Sequence, residues 1–271
     1  MNKTVSSILI LASLLLVIHG AYSLVYVSGA PPSGETPNCF IYQNFEGQDE
    51  DIFDNGEEWT GYDYGVWDTR FSYPPAALRG AQSLHMNPAG SYPIVFSPQF
   101  DARSEVWIAW KYRQFGTGNP NENCGDCHLC GWYPVVMVTA SDHSWLGGAY
   151  VYVVPPTSEF GGPCIGDAFI LVHGSRTSDH STDVHPGTTR YFWMYFKLSD
   201  GSDNGIARIW ASSDRFRPAD PKVELTNGTA TASIRNIRIS NGYFTEDSAG
   251  RRGYIIDQVM ACDSEITEMP E

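Results

Sequence analysis

Apolar and polar residues alternate along much of this chain with a period of two. The stretch "EVWIAWKYRQF" (105–115) sets Val106, Ile108, Trp110 and Tyr112 against Trp107, Ala109, Lys111 and Arg113. "RYFWMYFKLS" (190–199) sets Phe192, Met194 and Phe196 against Tyr191, Trp193, Tyr195 and Lys197. Such alternation puts successive side chains on opposite faces of a strand. Similar runs, rich in β-branched and aromatic residues and bounded by Gly, Pro, Asn or Asp, are "NCFIYQNFEG", "QSLHMNP", "YPIVFSPQF", "YPVVMVTAS", "AYVYVVPP", "DAFILVHG", "IARIWASS", "ASIRNIRIS" and "GYIIDQVMACD". No long segment carries a capped 3.6-residue period, so the pattern predicts an all-β chain. The clearest hairpin runs from Tyr191 to Ser199, turns over Asp200–Gly205 and returns from Ile206 to Ser212. On its return strand Arg208 and Trp210 share a face.

Several strands thus pair an apolar face with one carrying Trp, Tyr, Lys and Arg. Aromatic rings stack on the C–H faces of pyranoses, while cations and hydroxyls bond their hydroxyl or carboxylate groups, so such a face suits a polysaccharide. Large aromatics closing the second side of a sandwich would give the same pattern.

The N-terminus adds a compartment. Lys3, the apolar run Ile8 to Ile18 and the small-residue exit Ala21-Tyr22-Ser23 read as a signal peptide over residues 1–23, with cleavage as late as residue 30 as an alternative. The run is too short to span a bilayer, and no later segment is apolar enough to do so. The chain is therefore expected to be secreted or displayed at a cell surface, with no membrane span after cleavage. The remaining 241 residues (31–271) suit one large β-sandwich domain. A net charge of −14 repels polyphosphates and argues against nucleic acid as a partner. An anionic glycan requires that the binding face be locally basic.

Four stretches carry a resemblance. "FIYQNFEG" is similar to the first strand, "ALRGAQSLHM" to the strand after a Gly-x-x-Ser-Leu turn, and "RYFWMYFKLSDGSDNGIARIWAS" to the Trp-x-x-Tyr-x-Lys hairpin of the concanavalin A-like lectin/glucanase superfamily. "IRNIRISNGYF" followed by "GYIIDQVMACDSEI" resembles its closing strands. The resemblance implies a jelly-roll sandwich of two antiparallel sheets, shared by lectins, laminin-G-like modules, glycoside hydrolases and polysaccharide lyases. It implies carbohydrate binding on a concave sheet face, here by Lys111, Arg113, Trp193, Tyr195, Lys197, Arg208 and Trp210. A lyase or hydrolase on the same scaffold is the first alternative, and a structural surface or assembly protein the second. The Glu-x-Asp-x-x-Glu stretch of laminarinase-like hydrolases is absent, and "EDIFDNGEE" is an acidic loop rather than an alternating strand. A lyase would need a cation to neutralise a uronate carboxyl and a Tyr, His or Lys to take the C5 proton. The resemblance further implies a structural calcium on the convex side, held by Glu46, the carbonyl of Gly47 and Asp257.

The six cysteines fit an oxidising compartment. In a jelly roll Cys39, in the first strand, and Cys262, in the last, are neighbours and are expected to pair. Cys124, Cys127, Cys130 and Cys164 remain. Cys124-Gly-Asp-Cys127-His128 spells the C-x-x-C-H haem-attachment signature, which opens a mono-haem c-type alternative with His128 as axial ligand. The surrounding "GTGNPNENCGDCHLCGW" is a polar loop, whereas haem needs an apolar pocket, so two further disulfides are expected there rather than haem or zinc. Asn227 begins an Asn-Gly-Thr glycosylation acceptor, and His173, His180 and His185 fall with Asp179 and Asp183 in "VHGSRTSDHSTDVHPG", read as a polar loop.

Overall fold

The computed structural model describes residues 27–28, 38–45, 59–62, 69–72, 83–86, 94–114, 132–153, 167–184, 189–240 and 254–270. These residues contain strands and no helix. They are β1 (Val27–Ser28), β2 (Cys39–Gln43), β3 (Thr60–Tyr62), β4 (Thr69–Ser72), β5 (Ser83–Met86), β6 (Ile94–Phe96), β7 (Glu105–Gln114) and β8 (Trp132–Thr139). There follow β9 (Trp145–Val153), β10 (Asp167–His173), β11 (Arg176–Val184), β12 (Thr189–Lys197), β13 (Gly205–Ser212), β14 (Val223–Gly228), β15 (Asn236–Ser240) and β16 (Tyr254–Cys262).

They form two sheets. Sheet A runs in the order β1-β2-β16-β7-β12-β13-β14, with β5 beside the first half of β16 and β4 beside β5; sheet B runs β11-β10-β9-β8-β15-β6-β3. Pairing is antiparallel throughout except for β1 on β2. The alternation read from the sequence sets the layering. Val106, Ile108, Trp110 and Tyr112 of β7 and Phe192, Met194 and Phe196 of β12 turn inward. They pack with Val136 and Val138 of β8, Leu171 of β10, and Ile237 and Ile239 of β15 in one core between the sheets. Trp110 lies against Phe192 (centroids 5.5 Å) and Tyr112 against Tyr254 (5.1 Å). Burying each such side chain contributes about 1.5–3 kcal/mol from apolar area.

β16 is buried along its whole length, with Tyr254, Ile256, Val259 and Ala261 in the main core and Met260 and Cys262 in a second apolar cluster on the outward face of sheet A. A strand covered on both faces reads as the near-continuous apolar run seen in "YIIDQVMAC". Its register jumps between Asp257 and Met260 opposite β7, and Gln258 adopts φ 51°. This β-bulge is an uncommon conformation for a residue with a side chain. The expected Cys39–Cys262 disulfide joins β2 to β16.

Five strands, β1, β3, β4, β11 and β14, were not expected from the sequence. β11 occupies most of the segment read as a polar histidine loop: Thr177, Ser178, Asp179 and His180 pair with Val172, Leu171, Ile170 and Phe169 of β10. It is an edge strand, where polar residues are tolerated on both sides and the apolar alternation that betrays a strand is lost. His173 is buried at the end of β10, while His185 lies outside the described residues. β14 was also missed, although Val223 and Leu225 point inward against exposed Glu224 and Thr226. Asn227 is exposed on that strand.

Candidate functional site on the outward face of sheet A

The residues predicted to bind carbohydrate do share one face. Lys111 pairs with Tyr191, Ala109 with Trp193, Trp107 with Tyr195 and Glu105 with Lys197 across β7 and β12; Trp193 then pairs with Trp210 and Tyr195 with Arg208 across β12 and β13. All turn away from the main core. The structure nevertheless divides them into three groups.

The first group is covered. Trp193 and Trp210 are 0% and 3% exposed, packed under Ile266 and Met269 of the segment that follows β16. The period of a strand reveals which face a residue takes, but not what crosses that face. The second group is bound to acids. Tyr195 donates its hydroxyl to Glu105 Oε2 (2.6 Å), and Arg208 donates from Nε to Glu224 Oε1 (2.7 Å) and pairs with it through Nη2 (2.6 Å). Burial, then the hydrogen bond to Glu105, pushes the Tyr195 hydroxyl far above its ordinary pKa of 10.0. Lys197 is exposed at the strand end opposite Glu105.

The third group is a polar cluster at the other end of the face. Its core is Lys111 and Arg113 on β7, with Tyr191 and Thr189 as their partners on β12 and Asp257 and Ile255 as their partners on β16. Beyond β16, His85 of β5 lies opposite Ile255, with Arg70 of β4 opposite His85 in register. Lys111, Arg113 and Tyr191 are half-buried, and Lys111 Nζ stands 5.4 Å from the Tyr191 ring centroid. Asp257 is 1% exposed, accepting from Ser83 Oγ (2.7 Å) and from the Gln258 amide (2.7 Å). The bulge at Gln258 is what turns that amide onto the carboxylate. A bulge beside a cluster of ionisable groups is a device for aiming a side chain. His85 and Ser83 were not singled out from sequence, although the alternation in "QSLHM" already placed them on one face.

The described surroundings of Asp257 are those of a hydrogen-bonded carboxylate. Both its oxygens accept hydrogen bonds, its cross-strand partner is the cation Lys111, and it faces outward among the polar cluster. No group of three acidic, His or Cys side chains suited to a metal occurs among the described residues. Glu46 and Gly47, the other expected ligands, lie outside the described residues, as do Cys124, Cys127, His128, Cys130, Cys164 and the expected signal peptide.

Two antiparallel sheets with this strand order and a half-open outward face define a concanavalin A-like jelly roll, the fold class that the sequence resemblance implied. One similar solved structure bears this out. An endo-β-1,4-glucuronan lyase from the fungus Trichoderma reesei superposes with a TM-score of 0.53 at 13% identity, over 86% of this chain and 99% of the lyase. An alginate lyase from a Chlorella virus (TM-score 0.47, 8% identity, 84% and 100% covered) is more distant, as is a legume lectin-like domain from Entamoeba histolytica (0.47, 7%, 83% and 97%). At these identities the likeness concerns the fold alone. No family model and no curated protein sequence matches the chain.

Proposed function

We propose that this chain is an exported carbohydrate-binding protein that holds a uronate-containing polysaccharide on the outward face of sheet A. What supports the reading is one observation: Lys111, Arg113 and Tyr191 on β7 and β12, and His85 on β5 across β16, gather on one face in a chain whose overall charge is −14. Two cations there supply the local basicity that an acidic glycan needs, and Tyr191 offers a ring for stacking and a hydroxyl for bonding. Binding to alginate and glucuronan, compared with neutral glucans, tests it. Lys111→Ala and Arg113→Ala should each weaken uronate binding about tenfold or more, with affinity falling as salt rises. Equal affinity for neutral glucans, or unchanged affinity in both variants, refutes the proposal.

A second reading has a specific support of its own. His85 and Tyr191 are proton-transferring groups flanking cations that would neutralise a uronate carboxylate, the parts required for β-elimination by a lyase. Turnover would appear as the ultraviolet absorbance of the unsaturated product, lost in His85→Ala and Tyr191→Phe while binding persists. Ordered self-assembly without glycan binding would favour the structural alternative instead. No helix among the described residues is long and apolar enough to cross a membrane.

A further inference from the structure

The segment after β16 does not leave the sheet but turns back across its outward face. Ile266 and Met269 are fully buried there, in a cluster with Trp193, Trp210, Met260 and Cys262. The segment runs antiparallel to residues 215–217, with Arg217 N donating to Thr267 O (2.9 Å) and Met269 N to Arg215 O (2.9 Å). Gln258 Nε2, from the bulge, donates to Pro270 O (3.3 Å).

Its charged contacts have a different character. Glu265 pairs with Arg217, and Glu268 pairs with Arg215 at 3.0 Å, both through carboxylates that remain about half-exposed. Arg217 in turn lies over Trp210 (4.4 Å) and Trp107 (5.2 Å). Beneath this cover the indole N–H groups of Trp193 and Trp210, on adjacent strands, are buried without an acceptor among the described residues. An unmet buried donor costs stability, and an acceptor brought to it relieves that cost. The segment covers the aromatic floor with apolar side chains and supplies carboxylates to the two arginines, but it leaves the indole donors unmet. A polysaccharide carries all three complements at once: C–H faces for the rings, carboxylates for the arginines and hydroxyl oxygens for the indole N–H groups.

We infer that residues 264–270 are a displaceable stand-in for an acidic polysaccharide, occupying a second seat that continues the Lys111–Arg113 cluster along the same face. Uronate carboxylates take Arg217 and Arg215 from Glu265 and Glu268, and pyranose rings replace Ile266 and Met269 over Trp193 and Trp210. This inference rests on the glycan-binding reading, so its test must separate the two.

The test uses the whole chain with alginate oligosaccharides as probe and neutral cello-oligosaccharides as control. Hydrogen exchange is followed at the Arg217 and Met269 amides, which the cover protects. Saturating alginate oligosaccharide should speed exchange at both amides at least tenfold and expose tryptophan to acrylamide quenching. Glu265→Gln/Glu268→Gln, checked for native near-ultraviolet dichroism, should bind the probe on the order of fivefold more tightly, since two half-exposed ion pairs no longer hold the cover. Asp203→Asn/Asp220→Asn makes the same charge change outside the segment and should stay within about twofold, because such exposed charges act weakly and are screened. If the probe binds but exchange at these amides is unchanged or slowed, or the two double variants behave alike, the cover is a permanent wall and the inference falls while glycan binding stands. If no probe binds, both readings fall.

Discussion

His173 closes the end of β10 in a way that makes stability depend on pH. Its ring is buried, stacked at 8° on Phe196 with centroids 4.2 Å apart. Its two nitrogens meet opposite partners: Ala230 N donates to Nδ1 (3.2 Å), and Nε2 lies 2.7 Å from the Lys197 carbonyl. An amide can only donate and a carbonyl only accept, so the imidazole is held neutral with its proton on Nε2. Protonating Nδ1 would set a second N–H against the Ala230 amide. Desolvation by burial accordingly lowers the pKa below the ordinary 6.5, outweighing the opposite pull of the Lys197 carbonyl.

Because the native pKa lies below the unfolded one, the unfolded chain takes up this proton first as pH falls. The contribution is complete above the unfolded value of 6.5 and is lost as pH drops from there towards the native pKa. The slope from this one group cannot exceed about 1.4 kcal/mol per pH unit. His173→Gln removes the titration while keeping a donor near Nε2. It orphans the buried Ala230 amide, so it should lower stability at pH 7.5 by about 1–3 kcal/mol. Urea unfolding of both proteins between pH 7.5 and 5 provides the measurement. Wild type should lose stability faster than the variant below pH 6.5, so that the two curves converge; the difference curve isolates His173 from the other histidines. Parallel curves over that range would refute the account.

Gly205 and Gly228, paired across β13 and β14, both abut the same ring, and a Cβ would come within 2.4 Å and 2.2 Å of its atoms, so Gly228→Ala should cost about 1–3 kcal/mol by overpacking. That loss should shrink in a His173→Ala background, and strict additivity in a thermal-melt cycle would count against the clash. The Cys39–Cys262 disulfide spans 223 residues, and in the chain-entropy model its removal in Cys39→Ala/Cys262→Ala should lower stability by about 5 kcal/mol, read by urea unfolding. A loss below about 1 kcal/mol would show that the unfolded chain is already constrained between β2 and β16. With Asp257 held by Ser83 and Gln258, EDTA should leave the melting temperature unchanged. A drop reversed by added calcium would instead assign Asp257, with Glu46 and Gly47, to a metal. Protein exported from a host equipped for haem attachment should be colourless; a Soret band lost in Cys124→Ala/Cys127→Ala would make Cys124, Cys127 and His128 a haem site.

How much of this was legible in the sequence depends on what each feature is made of. The core faces of β7 and β12 were legible because a period of two is a local property, and Val106, Ile108 and Trp110 declare their side without reference to any other strand. The Cys39–Cys262 pairing needed only the first and last strands to be neighbours, which the jelly roll supplies. β11 escaped because an edge strand owes its place to pairing with β10 rather than to apolar alternation of its own. His85 joined Lys111 only through two intervening register choices, β5 on β16 and β16 on β7, and no pattern within "QSLHM" encodes them.

The covered half of the face shows the same limit more sharply. From sequence, Trp193 and Trp210 were read as ligand-facing aromatics because they take the face opposite Met194 and Ile209, and the structure places them on that face, away from the main core. What no alternation could reveal is that "SEITEMP" would cross them. That segment has no strand period, few apolar residues and two acids, the composition of a solvated tail. It is seated by two apolar anchors and by arginines that the 215–217 stretch happens to present. The features that leave it without a strand signature are those that make it exchangeable: a cover with more apolar content would have been visible as core and could not yield the face. An acidic chain seated by few anchors on a basic and aromatic surface can be replaced by another acidic chain that matches the surface better, and the indole donors of Trp193 and Trp210, without an acceptor among the described residues, are groups that such a chain can satisfy.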